Sequence, residues 1–411
     1  MGRTGGDWEI GTQGELQGIP PTQTLKHSPT PPLILLPLTL GLILGLFGCS
    51  SQTHKATQPS ASSSPTQDSE SNLTFFGVNF EQADEAGRPV WRVKAKKAKY
   101  FKEKQIGQAE SPSGELYQDG KVVYEFTAQQ ADIKQDGKQL FLKGKIVAVD
   151  PHNGVVVRGN ELEWRPKEDL MIVRNQVTGN NKQLQVVAKE GRVKTREQRM
   201  DLFGDVVANS NEPQLQMRTQ HLIWQIKQQK LIGDRPVQID RYENNQITDR
   251  GKGDTAEANL KTKIITVKNN AQIEILNPAM QVTSNFMTWD LNAETVKTSA
   301  PVRVFHRTDN VTVNGDRGEM NTQQKIVYIT GNVNAVGQRG QLLKSKKLTW
   351  YLNNQFVEAQ GNVFYQQMDP PLSFTGQQAS GNLQDENIVV KGNNSSDKVY
   401  TKIIPQDLKS Q

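Results

Sequence analysis

The sequence has very few residues of the kinds that form disulfides or metal centres. Its single cysteine, Cys49, excludes an intramolecular disulfide and a cysteine-rich zinc or iron–sulfur site. The five histidines lie far apart, and no pair has the HxH or HxxxH spacing that brings metal ligands together. We therefore expect no bound metal and no other cofactor.

Recognisable catalytic motifs are also missing. The sequence has no GxSxG, HExxH or P-loop motif, and no GxGxxG motif between a strand and a helix. Its carboxylates are scattered over turn sequences rather than paired. These absences predict a protein that is not an enzyme.

Apolar residues are scarce for a chain of this length. They make up 35% of the 411 residues, and the mean hydropathy is −0.64. A compact single core needs a larger apolar share, and no long stretch has helical periodicity. The composition favours an all-β, thin and elongated structure with much surface per residue.

A long apolar run lies near the N-terminus. It covers residues 33–48 and follows a polar leader, residues 1–32. At about 1.5 Å per residue the run spans roughly 24 Å, which is short for a membrane-spanning helix and typical of a signal peptide. The sequence Leu46-Phe47-Gly48-Cys49 at its end resembles a bacterial lipobox, in which the cysteine is acylated. Residues 33–49 are thus either a signal peptide with lipidation at Cys49 or an uncleaved single-span anchor.

The rest of the chain divides into a tether, a body and a tail. Residues 50–72 are rich in Ser, Thr, Gln and Pro, which predicts a flexible linker. Residues 73–404 form the body, and residues 405–411 are a short tail. Either kind of anchor would export the body and hold it at a membrane.

One short phrase recurs along the body. The stretch KIVYITGNVNAV, residues 325–336, has the alternation of a strand interrupted by Gly331-Asn332. Similar phrases contain Gly144, Gly204, Gly361 and Gly392. A glycine at a fixed place in a strand predicts a bend or a close backbone approach, because a Cβ there would collide. The body is therefore a repeat structure.

Two further series give the length of the repeat. Aromatic residues recur at steps of 60 to 65 residues, and small residues recur about midway between them. The series are Tyr100, Trp164, Trp224, Trp289 and Trp350, and Ala131, Gly191, Ala256, Gly318 and Ala379. A unit of about 30 residues holds two strands and two turns. Turn sequences such as Asp136-Gly137, Asn180-Asn181 and Asn269-Asn270 fit this division. We predict about twenty antiparallel strands.

The combined pattern, A-x-x-Ψ-x-W/Y followed by a turn and Ψ-x-Ψ-x-G-N/D-V, resembles a known repeat. It is similar to the OstA-like repeat of the lipopolysaccharide-export bridge, shared by its LptA, LptC and LptD N-terminal members. The resemblance covers the body from about Leu73 to Ile404. An N-terminal anchor ahead of one such domain, with no barrel after it, is most similar to LptC. The long body and the lipobox depart from that member.

The resemblance implies an elongated, twisted β-jellyroll, or β-taco, whose inner faces form an apolar groove for lipopolysaccharide acyl chains. Shielding one CH₂ from water contributes about 0.8 kcal/mol, so this use needs a continuous apolar surface and no catalysis. The inward rows expected to line the groove are Val155, Val157, Leu162, Trp164, Leu222, Trp224, Met287, Trp289, Val302, Val304, Leu348 and Trp350. The alternative is that they only pack sheet on sheet, as in a structural β-repeat lipoprotein of the cell envelope.

The resemblance also implies a location and partners. The body would lie in the periplasm, tethered to the inner membrane rather than the outer one. Its partners would be lipopolysaccharide, the export ABC transporter and other OstA-like bridge proteins, joined head to tail by strand addition. Free strand edges accept another strand, and residues 73–80 and 387–391 are the terminal strands expected to do so.

A basic cluster lies near the start of the body. Its members are Arg92, Lys94, Lys96, Lys97, Lys99, Lys102 and Lys104. The cluster either meets anionic lipid head groups or keeps a solvated strand face from aggregating. We expect no nucleic acid partner, because the formal net charge of +6 is small and the protein is exported.

Replacing Cys49 by alanine tests the lipoprotein interpretation. If Cys49 is acylated, the Cys49→Ala variant loses two or three acyl chains, each of which contributes about 0.8 kcal/mol per buried CH₂ to membrane binding. Fractionation of cells would then find less of the protein with the membranes. Unchanged fractionation would contradict lipidation and indicate an uncleaved anchor.

Overall fold

The structure, a computed structural model, describes residues 72–134, 136–369, 371–382, 388–392 and 399–403. These residues belong to one compact unit. The predicted leader, apolar run and Cys49 lie outside the described residues, as do most of the predicted tether and the whole tail. Among the residues that are described, no helix is long and apolar enough to cross a membrane.

The described part of the chain is almost entirely β-strand, which confirms the all-β prediction. The first ten strands are β1 Asn72–Ala83, β2 Pro89–Phe101, β3 Ile106–Glu110, β4 Ser113–Gln118, β5 Lys121–Thr127, β6 Gln130–Lys134, β7 Leu140–Val149, β8 Val156–Arg165, β9 Leu170–Asn180 and β10 Leu184–Lys194. A single 3-10 turn, Pro166–Glu168, connects β8 to β9.

The remaining strands continue the same pattern to the end of the body. The next nine are β11 Arg199–Asn211, β12 Gln214–Gln225, β13 Lys230–Gly233, β14 Val237–Glu243, β15 Gln246–Gly253, β16 Thr255–Asn259, β17 Ile264–Ile275, β18 Met280–Asp290 and β19 Thr295–Thr298. The last nine are β20 Val302–His306, β21 Val311–Gly315, β22 Arg317–Asn321, β23 Ile326–Val336, β24 Leu342–Tyr351, β25 Phe356–Met368, β26 Pro371–Asn382, β27 Ile388–Lys391 and β28 Tyr400–Ile403.

The strands form one continuous antiparallel meander. In seven places two consecutive short strands together span the width of the sheet, because both pair with the same neighbouring strand. These pairs are β3/β4, β5/β6, β13/β14, β15/β16, β19/β20, β21/β22 and β27/β28. If each full crossing is called a rung, the 28 strands form 21 rungs, and each rung pairs with the next one along the chain. The prediction of about twenty strands matches the number of rungs, whereas the number of strands is larger because seven rungs are each divided into two short strands.

Six of the fourteen rungs that consist of one long strand bend near their middle at two consecutive residues with positive φ. At Gly331-Asn332 the φ angles are 79° and 46°, and the pairing of β23 with β24 shifts register between Thr330 and Val333. The same arrangement occurs at Gly144-Lys145, Asn175-Gln176, Gly204-Asp205, Asn269-Asn270 and Gly361-Asn362. Such bulges bend a strand and increase its twist. The bend predicted at the recurring glycine is thus confirmed at Gly144, Gly204, Gly331 and Gly361.

Two of these bends differ from the sequence interpretation. Asn269-Asn270 was expected to be a turn between strands, but it is a bulge inside β17. Asn175-Gln176 bends β9 without any glycine. Asparagine tolerates the left-handed region better than most residues, since its short side chain bonds locally, so it replaces glycine at both places.

The bends divide the sheet into two arms. Arm A contains β4, β5, β14, β15, β20, β21, β28 and the halves of the long strands in register with them, and arm B contains β3, β6, β13, β16, β19, β22, β27 and the other halves. Apolar residues alternate with polar ones along both arms, and one face of each is buried. The core lies between these two faces, as in a jellyroll.

Substituting alanine for the bend glycine tests the role of the bulge. We expect Gly331→Ala to destabilise the protein by about 1–2 kcal/mol, because the left-handed backbone conformation is less favourable by that amount for an alanine than for a glycine. A Cβ at this position would also lie 2.3 Å from Oδ2 of Asp316. Urea denaturation measures the loss. The matched control is Gly107→Ala in β3, where the nearest atom to an added Cβ is 3.8 Å away. Equal stabilities of the two variants would contradict the bend assignment.

Candidate functional site: the interior between the two arms

All twelve predicted groove residues lie in the interior, and each is at most 4% exposed. Eight are on arm B and four are on arm A: Leu162, Trp164, Leu222, Trp224, Met287, Trp289, Leu348 and Trp350, facing Val155, Val157, Val302 and Val304. Their contact with a lipid stays a prediction. In this structure they contact one another and the opposite arm.

The aromatic series on arm B reaches across to arm A. The indole nitrogen of Trp164 donates to the carbonyl oxygen of Val90 at 3.1 Å. A Cβ added to Gly251 would lie 3.7 Å from the Trp289 ring. The ring centroids of His306 and Trp350 are 5.3 Å apart. The large side chains therefore fill the space between the arms through most of the body.

The small residues midway between the aromatics let the arms approach near the bends. A Cβ added to Gly318 on arm B would lie 3.0 Å from Cγ1 of Val302 on arm A. At Gly191 an added Cβ would lie 3.2 Å from Cγ1 of Val177. Large side chains thus fill the interior, and small residues let the arms approach near the bends, as in interdigitating sheets.

The interior opens near the C-terminal end of the body. A cavity of about 330 Å³ lies there, and its apolar wall includes Val311, Val313, Leu343, Val357 and Tyr365. Of the predicted groove residues, Leu348 and Trp350 line it. Small residues also line it, namely Ala335, Ala359, Ala379 and Gly381. Ala359 lies two residues before the bend glycine of its rung, where earlier rungs have Leu142, Leu202 and Ile329, and its smaller side chain leaves space there.

Polar groups stand at the edge of this cavity. Asp309, Gln341 and Asp369 are among its lining residues. His306, 2% exposed, lies beside Asp309 with Nδ1 3.0 Å from Oδ2. Burial lowers the pKa of His306, and the charge of Asp309 opposes this only in part. The imidazole is therefore neutral at neutral pH, and the charged side chains in the lining of the cavity are those of Asp309, Arg339 and Asp369.

The free ends of the two arms meet along a line that we call the seam. Charged side chains cross it between turns far apart in sequence: Lys167 Nζ lies 3.2 Å from Glu85, and Arg196 Nη2 lies 2.8 Å from Asp119. Both pairs are exposed, so each contributes little to stability. Among the described residues, no strand pairing crosses the seam. It is closed by side chains alone.

The most buried ion pair of the seam joins Arg241 to Glu294. The guanidinium donates to both carboxylate oxygens, at 2.7 and 2.5 Å, and Thr322 Oγ1 donates to the same carboxylate at 3.0 Å. The two side chains are only 12% and 24% exposed. Burial raises the pKa of Glu294, but the hydrogen bonds and charge of Arg241, with Thr322, outweigh it and hold the pKa below its ordinary value. The carboxylate stays ionised at neutral pH.

The seam was not predicted from the sequence. Arg241 and Glu294 are separated by 53 residues and belong to no recurring phrase. Their ion pair forms only because the bends bring opposite ends of the rungs together. Within the described ranges, no three His, Cys, Asp or Glu side chains are placed to hold a metal ion.

Comparison with models of protein families gives a match to the family described as lipopolysaccharide-assembly, LptC-related. The matched residues are 40–181, 170–276 and 305–396, which together cover more than three quarters of the 411 residues. Three successive matches agree with the internal repeat and with the length of the body. A search of curated proteins finds no match.

Removing the charge of Glu294 tests the seam. We expect Glu294→Gln to lower the free energy of unfolding by about 2 kcal/mol at pH 7, because Arg241 loses the carboxylate that accepts two of its hydrogen bonds. A carboxylate with a lowered pKa stabilises the fold above its unfolded pKa of about 4.3 and loses that effect as pH falls through the folded value. The two proteins should therefore converge in stability on acidification, as measured by urea denaturation.

The control for this prediction is Glu85→Gln, which breaks the exposed pair with Lys167 and should leave stability unchanged at every pH. A Glu294→Gln variant as stable as the parent protein at pH 7 would show that the seam is not held by this pair.

Proposed function

Because the chain belongs to the LptC-related family of lipopolysaccharide-assembly proteins, we propose that it acts in lipopolysaccharide transport by shielding acyl chains in its interior. It would do so in the periplasm, as part of a bridge between the inner and outer membranes. This is a binding and transport function that needs no catalysis, since burial of apolar surface supplies the free energy.

The observation that carries the proposal is the apolar cavity at the C-terminal end of the interior. Its volume of about 330 Å³ lies within the range of roughly 300–1,000 Å³ usual for ligand sites. Leu348 and Trp350 of the predicted groove line it, and its polar rim suits a ligand that keeps one polar end in water. An acyl chain would enter there with its head group outside.

Access to the earlier rows requires the arms to separate. Trp224 and Trp289 are each 1% exposed, so a lipid reaches them only if the seam opens. Opening breaks ion pairs and side-chain packing but no backbone ladder. We therefore propose that Val155, Val157, Leu162, Trp164, Leu222, Trp224, Met287, Trp289, Val302 and Val304 become lipid-binding when the arms part along the seam.

The ends of the meander suit the partners that we propose. Among the described strands, β1 pairs only with β2, while β27 and β28 pair only with β26. Apolar residues are exposed at both ends, including Phe75 at 44% and Val389 at 53%. Free edges of this kind accept strands from the export transporter or from other bridge proteins. Acylation of Cys49 would tether the chain to the inner membrane.

A second candidate function is that of a structural β-repeat lipoprotein of the envelope, without lipid transport. The filled interior favours it, because the four tryptophans of arm B are at most 1% exposed. This function needs no opening of the seam. It also gives no role to the cavity at the C-terminal end.

Photo-crosslinking separates the two functions. Three variants each carry one benzoylphenylalanine, in place of Leu343 in the cavity, Trp224 in the filled interior, or Tyr328 on the outer face. The Tyr328 side chain is 40% exposed. On irradiation of cells, we expect lipopolysaccharide adducts at position 343 and, if the arms part, at position 224. Position 328 is the matched control and should give none.

Adducts at position 343 no more frequent than at position 328 would contradict the transport function. Adducts at 343 but none at 224 would keep the cavity as a lipid site and exclude opening of the arms.

A further inference from the structure

The basic cluster of the sequence lies on the outer face of β2, opposite the core. Val93 and Ala95 are buried at 0% and 8% exposure, whereas Lys94 and Lys96 between and after them are exposed. Lys99 follows on the same outer face, and Lys102 and Lys104 continue it in the turn after β2. These side chains therefore do not pack in the interior.

Protection of a free strand edge does not explain the cluster. Charged residues that block aggregation belong on edge strands. The edge strand here is β1, which contains neither lysine nor arginine. The lysines are on β2, whose two edges are already paired with β1 on one side and with β3 and β4 on the other.

Several of the lysines have neutral neighbours across both strands. Lys94 pairs with Asn79 and Ser113. Lys99 pairs with Thr74 and Gln108. By contrast, Arg92 is bonded to Glu81 and Lys97 to Glu110, at 2.7 and 3.2 Å.

The face as a whole has an excess of positive charge. Seven cationic residues, Arg92 to Lys104, stand against four nearby carboxylates: Glu81, Glu103, Glu110 and Glu115. The excess of three is half of the net charge of +6 of the whole chain. This face therefore has a local excess of positive charge.

Aromatic side chains accompany this charge. Phe76 on β1 is 76% exposed and pairs in register with Lys97. Lys104 Nζ lies 5.9 Å from the centre of the Phe101 ring. An exposed phenylalanine costs free energy in water, and its combination with lysines is typical of surfaces that lie in a membrane interface.

We propose that this outer face of β1 and β2, with Lys94, Lys96, Lys99, Lys102, Lys104 and Phe76, docks on the anionic surface of the membrane that tethers the chain. Residues 50–72 separate the predicted anchor from β1. The flexible linker that the sequence predicts there would have an end-to-end distance of roughly 25 Å, so β1 and β2 would be the rungs nearest to the bilayer.

Photo-crosslinking to lipid tests this docking with the full chain in vesicles. Phe76→benzoylphenylalanine should give adducts with phospholipid in phosphatidylglycerol vesicles and few in phosphatidylcholine vesicles or at high salt, because salt screens the attraction. The matched control is Tyr328→benzoylphenylalanine, an exposed aromatic position on the outer face of β23 whose paired neighbours are Glu319 and Thr349. It should give few adducts in both vesicles.

The charges are tested by the triple variant Lys94→Gln, Lys96→Gln, Lys99→Gln in the position-76 background. Each lysine near an anionic surface raises the association constant about five-fold. Loss of three lysines should therefore lower the ratio of membrane-docked to undocked protein roughly 100-fold. Because these side chains are solvent-accessible, the urea midpoint should be unchanged.

The proposal would be overturned by equal adduct yields at positions 76 and 328, or by a yield at position 76 that does not depend on the charge of the lipid. Adducts of position 76 with a protein instead of lipid in cells would assign this face to a protein partner and also overturn it. Adducts at Leu343 with lipopolysaccharide report on the proposed transport function separately, so the two proposals fail independently.

Discussion

The structure depends on one backbone device, a pair of left-handed residues in the middle of a strand. At Gly204-Asp205 and Gly361-Asn362, as at four other places, this pair forms a bulge that bends the rung. Without the bends the meander would be a long open sheet with one apolar face in water. The bends fold that face onto itself, so the hydrophobic effect and the backbone conformation act together.

Folding along the bends creates two edges with different properties. The chain runs through the bend within each long rung, and backbone hydrogen bonds join neighbouring rungs on both sides of it, so that edge cannot open without unfolding. The seam is held by side chains, with Arg241 and Glu294 as its most buried ion pair. A ligand that offers apolar surface to the separated arms would compensate for the packing lost when they part, and this makes a filled interior compatible with lipid binding.

Much of the fold could be predicted from the sequence, because its signals are local and repeated. The alternation of apolar residues predicted the strands, and the recurring glycine predicted the bend. Asn269-Asn270 was assigned to a turn because asparagine pairs serve both as turns and as left-handed bulges, and only the pairing of β17 with its neighbours distinguishes them. The interior position of Trp164 and Trp289 followed from the same alternation.

The state of the interior could not be predicted, since it depends on how closely two distant segments approach. Neither the 3.1 Å hydrogen bond between Trp164 and Val90 nor the seam pair of Arg241 has a local signal. The most direct test of the account is the distance between spin labels at positions 85 and 167, on opposite sides of the seam, in a Cys49→Ala background. Pulsed electron paramagnetic resonance should find one short distance in the free protein and a longer one with lipopolysaccharide. An unchanged distance at saturating lipopolysaccharide would contradict the account.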